Sequence, residues 1–219
     1  MAAEAEVRSM WEHFLASNEV EDVEASFGAL VDFADAQDLR GQGLELFYEL
    51  KEALLPELNF RQKKLFTDLD VQITKRQKYV QKMHAERGIE NCSDTGVHVT
   101  KGSILICGAG PVGLRAAVEA AMLGFQTTVV EKRTAFSRAN ILMLWERTWT
   151  DVMSLGAKVY MPSLPAHARD SGVSYYMGTR ELQLTFLKTA LLCGVDVLYG
   201  KELIDLLPPQ GTGEQWQGR

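Results

Sequence analysis

The chain of 219 residues is poor in cysteine, in proline and in long apolar runs. Its three cysteines, Cys92, Cys107 and Cys193, are scattered and none forms a CxxC pair. That spacing excludes a disulfide framework and a cysteine-built zinc site, and it points to a reducing compartment. No apolar run reaches the roughly 18 residues that a membrane-spanning helix needs. The opening stretch, MAAEAEVRSMWEHF, lacks the charged-then-apolar pattern of a secretory signal, so secretion is not expected. Positive charge is not in excess either. The formal net charge of −6 argues against a generally basic nucleic-acid binder. What is present is ordinary for a globular protein: 46 % apolar and 24 % charged residues, enough for one large domain or two small ones.

The charge is unevenly distributed. Residues 1–57 carry 14 acidic against 3 basic residues, residues 58–88 carry 3 against 8, and the remainder carries 12 of each. Blocks of different sign suggest stretches with different surroundings. The acidic block reads as helical, with Trp11, Phe14 and Leu15 on one apolar face and Phe27, Leu30, Val31 and Ala34 on another. A third helical run starts at Leu44 and stops near Pro56, and a fourth carries Leu58, Leu65, Phe66 and Leu69. Such helices either present a partner surface or, more simply, pack onto the module that follows. The basic tract holding Lys75, Arg76, Lys78, Lys82 and Arg87 is either a solvated helix face or a contact for an acidic protein surface. Residues 88–100 are turn-rich and read as a connection.

The strongest signal begins after Lys101. A short apolar strand, 103–107, leads directly into Gly108, Gly110, Val112 and Gly113 of a GxGxxG turn. A helix over 112–123 follows, with Leu114, Ala117, Val118, Ala121 and Met122 on one face and Gly124 after it. A second strand, 126–130, then ends at Glu131. Each position has a physical task. Gly108 permits the tight turn, Gly110 lets a pyrophosphate approach the backbone, and Gly113 lets helix and strand pack closely. The helix start offers unpaired N–H groups to phosphate oxygens. Glu131 can accept hydrogen bonds from both hydroxyls of an adenosine ribose, and its charge repels a 2′-phosphate. NADP is therefore a poor occupant, and both NAD and FAD remain open on this ground. Further strands and helices are expected at 195–199 and at about 146–155 and 180–192, giving parallel strand order.

The run from Val130 to Trp145 is more specific. It reads VEKR, then FSR-x-N, then L-x-LW, and it resembles the MICAL family, flavin monooxygenases that oxidise methionines of actin filaments. Segments around Phe47, Leu65, Leu155 and Thr179 to Val197 resemble the family too, so the likeness covers nearly the whole chain. Departures occur at Val112, where the family usually has Cys, at Met143, where it has His, and at Glu146 to Thr148, where it has Pro-Phe-Thr. These touch the flavin surroundings and leave the phosphate turn intact.

The resemblance implies a Rossmann-type FAD-binding α/β fold, incomplete relative to a flavoprotein hydroxylase and preceded by an α-helical N-terminal region. The expected division is 1–100 helical, 101–207 dinucleotide-binding and 208–219 a tail. It implies FAD as bound cofactor, NADPH as reductant, actin filaments as partner, and a cytoplasmic, cytoskeleton-associated setting. Site residues carry over position by position: Glu131 to the adenosine ribose, Lys132 and Arg133 beside it, Arg138 toward the pyrophosphate, Asn140 toward the flavin side, and Leu203 near adenine. Trp145 is expected in the core. No catalytic acid, base or nucleophile stands out. Family members close their FAD site with a later Gly-Asp segment, which is not found after Leu207, so the chain reads as the first part of a monooxygenase.

Overall fold

The computed structural model describes residues 2–88, 102–164, 175–211 and 216–219. The connection expected over 88–100 lies outside them, Gly88 apart. Four helices come first: α1 (Ala2–Ala16), α2 (Val20–Phe33), α3 (Leu44–Leu54) and α4 (Lys64–Glu86). Their apolar stripes meet in an aromatic cluster. Trp11 stacks on Phe66 with centroids 5.0 Å apart, and Phe14 tilts against Phe27 at 5.9 Å. All four rings are essentially fully buried. Each contributes the large apolar area that makes aromatic side chains dominate a core.

The second half alternates strands and helices: β1 (Ser103–Cys107), α5 (Pro111–Met122), β2 (Gln126–Glu131), β3 (Ile141–Leu144), α6 (Glu146–Ser154), α7 (Ala157–Tyr160), β4 (Tyr175–Gly178), α8 (Thr179–Leu192) and β5 (Asp196–Tyr199). The main sheet is parallel with order β1-β2-β5. Ile106 pairs with Val129, and Val129 with Val197, which builds one apolar row across three strands. This mixed α/β arrangement with a parallel sheet agrees with the expected Rossmann-type topology.

Three features depart from expectation. β3 and β4 form a separate antiparallel pair, with Trp149 of α6 stacked 4.1 Å from Tyr175. Trp145, expected in the core, is 70 % exposed, because it stands between β3 and α6 and Trp149 takes the buried position instead. The end of the expected tail is paired, β7 (Gln217–Gly218) lying antiparallel to β6 (Leu206–Leu207), which precedes the tail.

The helical layer packs onto the α/β part, the simpler of the two readings of the acidic block. α8 is the shared element, with Leu182, Leu187, Ala190 and Leu192 all buried. Lys188, also on α8, is only 3 % exposed. Its ammonium donates to the Leu15 carbonyl at 2.7 Å, near the C-terminal end of α1, where the helix dipole favours a cation. It also faces the rings of Phe14 and Tyr160. From α4, Gln77 donates to the Met122 carbonyl, and Arg76 makes two hydrogen bonds to Glu119. Among the described residues, no helix is long and apolar enough to cross a membrane.

Burial pulls the Lys188 ammonium down to about 8. Above that pH the unfolded chain holds this proton more tightly than the folded one, so stability rises with pH. Burial also holds the Cys193 thiol up to about 12, which opposes the rise once unfolded thiols ionise near pH 9. Denaturant unfolding should therefore show a gain of about 1 kcal/mol between pH 8 and 9. Lys188→Met should flatten that interval.

Candidate functional site

The end of β1 and the start of α5 meet in a turn whose shape the glycines set. Gly108 has φ +101°, a left-handed conformation that a side chain would strain. At Gly113 the constraint is closer still, because a Cβ there would fall 2.1 Å from the Gly108 carbonyl oxygen. Gly110 is different. A Cβ at that position meets nothing within 4 Å, and its φ of −69° suits any residue. The fold does not require glycine at 110. The space it leaves lies at the N-terminus of a twelve-residue helix.

Pro111 occupies the first helical position, where its missing N–H costs nothing. The first helical hydrogen bond runs from Leu114 N–H to the Gly110 carbonyl at 2.9 Å. The N–H groups of Gly110, Val112 and Gly113 precede it and have no acceptor among the described residues. Val112 itself is 84 % exposed at the mouth. The far half of α5 is anchored. Arg115 binds Asp151 through two hydrogen bonds and also reaches Glu119, which Arg76 holds from α4. Burial pushes the Glu119 carboxyl up, but hydrogen bonds from the two arginines outweigh it and hold the group below the ordinary value.

Glu131 closes the turn from β2. Its Oε2 accepts from the Ala109 N–H at 2.8 Å and its Oε1 from the Arg133 N–H at 2.9 Å. Each carboxylate oxygen has a second acceptor site, so the group is oriented without being exhausted. Around it lies a cleft of about 500 Å³. Gly108, Gly110, Val112, Gly113, Glu131, Arg133 and Arg138 all line it. The guanidinium groups of Arg133 and Arg138 are exposed and have no acceptor among the described residues. Past Arg138 the surface continues into a second cleft of about 390 Å³, bounded by Ser137, Arg180 and Glu181 at the start of α8.

Three expected site residues do not line the main cleft. Lys132 pairs with Glu202 at 3.3 Å, both well exposed. Asn140 serves through its backbone, its carbonyl accepting from the N–H and the hydroxyl of Thr179. Leu203 lies under the C-terminal strand, beside Gly218 and Leu105. Gln183 lines the cleft although it was not among the expected site residues. Gln183 of α8 is buried and donates from Nε2 to the Ala109 carbonyl at 2.9 Å. A glutamine between Leu182 and Leu184 on a helix buried nearly all round was the available signal.

The constellation suits an anionic, ribose-bearing ligand: open space over a helix start, unpaired amides, an oriented carboxylate and two uncommitted guanidinium groups. The chain is similar to several known proteins. The family model described as "Alanine dehydrogenase/PNT, C-terminal domain" matches residues 73–161. [F-actin]-monooxygenase MICAL1 of Bos taurus is 35 % identical over 95 % of this chain, which spans 17 % of that protein. Protein-methionine sulfoxide oxidase mical3b of Danio rerio is 44 % identical over 54 % of this chain and 7 % of its own length. Among solved structures, that of FqzB covers 53 % of this chain and 33 % of its own at 16 % identity, with a TM-score of 0.39.

The glycines should separate experimentally. Gly113→Ala should destabilise the ligand-free chain by about 3 kcal/mol, since backbone must move. Gly110→Ala should cost about 1 kcal/mol or less. Thermal melts of the two variants check this, and equal losses would contradict the geometry.

Proposed function

The chain is a homologue of the MICAL monooxygenases along nearly its whole length, and from that premise we propose that it forms the ADP-binding part of an FAD site. The monooxygenase consumes NADPH and oxidises methionine residues of actin filaments in the cytoplasm. The observation that carries this reading is Gly110. The fold gives no reason for glycine there, whereas a pyrophosphate approaching the amides of Gly110, Val112 and Gly113 does.

The chain's own residues have distinct tasks. The α5 amides hold phosphate oxygens, and Glu131 accepts from the ribose hydroxyls. Arg133 and Arg138 offset phosphate charge, with Lys132 and Leu203 toward the adenine end and Asn140 toward the flavin side. A flavin held there would supply the redox chemistry by which, with NADPH as reductant, one oxygen atom of dioxygen passes to a methionine thioether to give its sulfoxide and the other leaves as water. The helices α1 to α4 of the N-terminal region brace the dinucleotide-binding region.

The actin contact falls on α4. Lys75, Lys78, Tyr79 and Lys82 are exposed on it, while Arg76 is committed to Glu119. Such a face suits an acidic filament and a salt-sensitive encounter. A second reading, an NAD-binding dehydrogenase-like domain, draws support from the family model over 73–161. A third, a non-catalytic interaction protein, shares the α4 surface but needs no flavin.

Absorbance between about 350 and 500 nm, with equilibrium titration of FAD and NAD, separates these readings. FAD should bind and NAD should not. Glu131→Ala and Gly110→Leu should each weaken FAD at least about tenfold, the scale of one or more lost hydrogen bonds to a charged group. Retained flavin colour and affinity in both variants would overturn the reading. For the partner, Lys75→Glu/Lys78→Glu/Lys82→Glu should abolish co-sedimentation with actin filaments at low salt. Unchanged co-sedimentation would remove α4 from the contact.

A further inference from the structure

Gln183 belongs to α8, not to the glycine turn, yet it touches the turn at its centre. Ala109 is fully buried and held from both sides. Its N–H donates to Glu131 Oε2 at 2.8 Å, and its carbonyl accepts from Gln183 Nε2 at 2.9 Å. The partner fixes the amide's orientation, since only the NH2 end can donate to a carbonyl. Oε1 is thereby turned the other way. It is buried with no hydrogen-bond partner among the described residues, on a side chain 6 % exposed that lines the cleft.

We propose that Gln183 is a positioning residue for phosphate binding: it fixes the peptide between Ala109 and Gly110 so that the Gly110 N–H is presented to a pyrophosphate. The inference rests on the dinucleotide reading above. A trans peptide is planar, so its N–H points opposite to its carbonyl. Drawing the Ala109 carbonyl toward α8 turns the Gly110 N–H to the side that Gln183 does not occupy. There it has no acceptor among the described residues. Without Gln183 the carbonyl of this peptide loses its side-chain anchor, and Gly110 carries no side chain to hold the peptide plane, the space its Cβ would take being open. The unpaired Oε1 is the second observation pointing to a ligand. A buried acceptor left unsatisfied is costly, and a hydroxyl of the bound dinucleotide outside its adenosine ribose is a donor of the right chemistry to relieve it.

The test uses three probes on the 219-residue chain: FAD, ADP and adenosine, each titrated by NMR or calorimetry, with a thermal melt as control. Gln183→Leu should weaken FAD and ADP about tenfold, the effect of one positioned hydrogen bond, and leave adenosine unchanged because Glu131 still holds the ribose. Should that variant fail to fold, Gln183→Met, which keeps the length and removes the amide, should show the same split. Undiminished ADP affinity in a folded variant overturns the proposal and leaves the FAD reading standing. Equal weakening of ADP and adenosine also overturns it, marking Gln183 as a prop for the whole site. A wild-type chain that binds neither ADP nor FAD removes the reading itself and the proposal with it.

Discussion

The site depends on how closely α5 approaches the end of β1. With a Cβ at Gly113 the contact with the Gly108 carbonyl would be 2.1 Å, so only glycine lets the helix begin where it does. That start gathers three unpaired N–H groups beside the end of β2, within reach of Glu131. The rest of the structure holds the helix in place. The Arg115–Asp151 and Arg76–Glu119 contacts tie α5 to α6 and α4. The pairing is partly buried and shared among four side chains, a network in which geometry counts for more than any single ion pair.

The helical layer is thus a brace for the dinucleotide fold. Lys188 reaches from α8 to the last turn of α1, and Gln77 from α4 to the last turn of α5. This changes the meaning of the basic tract. Its charges divide by helix face, with Arg76 turned inward to Glu119 and Lys75, Lys78 and Lys82 turned outward. Counting charge along the sequence merges a structural arginine with a surface stripe. Only the 3.6-residue period separates them.

Local patterns made part of this legible beforehand. β1, α5 and β2 fall within a residue of their expected limits, because a short apolar strand, a glycine turn and an amphipathic stripe each leave a mark within a few residues. Glu131 follows from its place at the strand end. The antiparallel β3–β4 pair was not visible, since Ile141 to Leu144 and Tyr175 to Gly178 are short and join across a long separation. Trp145 was misplaced because its size argues for burial, while the helix that starts after it buries Trp149. Gln183 escaped notice because its significance is tertiary. Nothing in α8 itself records that its neighbour is the carbonyl of Ala109.

Charge balance explains why the proposed occupant is a dinucleotide without a 2′-phosphate. The cleft sets one carboxylate, Glu131, against two guanidinium groups, Arg133 and Arg138, that have no other acceptor among the described residues. A pyrophosphate brings about two negative charges, which the arginines and the helix start can offset. The carboxylate is already oriented by two backbone N–H groups, so it meets ribose hydroxyls without reorganising. A 2′-phosphate would place further negative charge against that fixed carboxylate, and the arginines would already be spent on the pyrophosphate. On the proposed reading, the same Glu131 that orders the glycine turn would also select against NADP at this position. That leaves NADPH, if it is the reductant, to act from elsewhere than the ribose site that Glu131 defines.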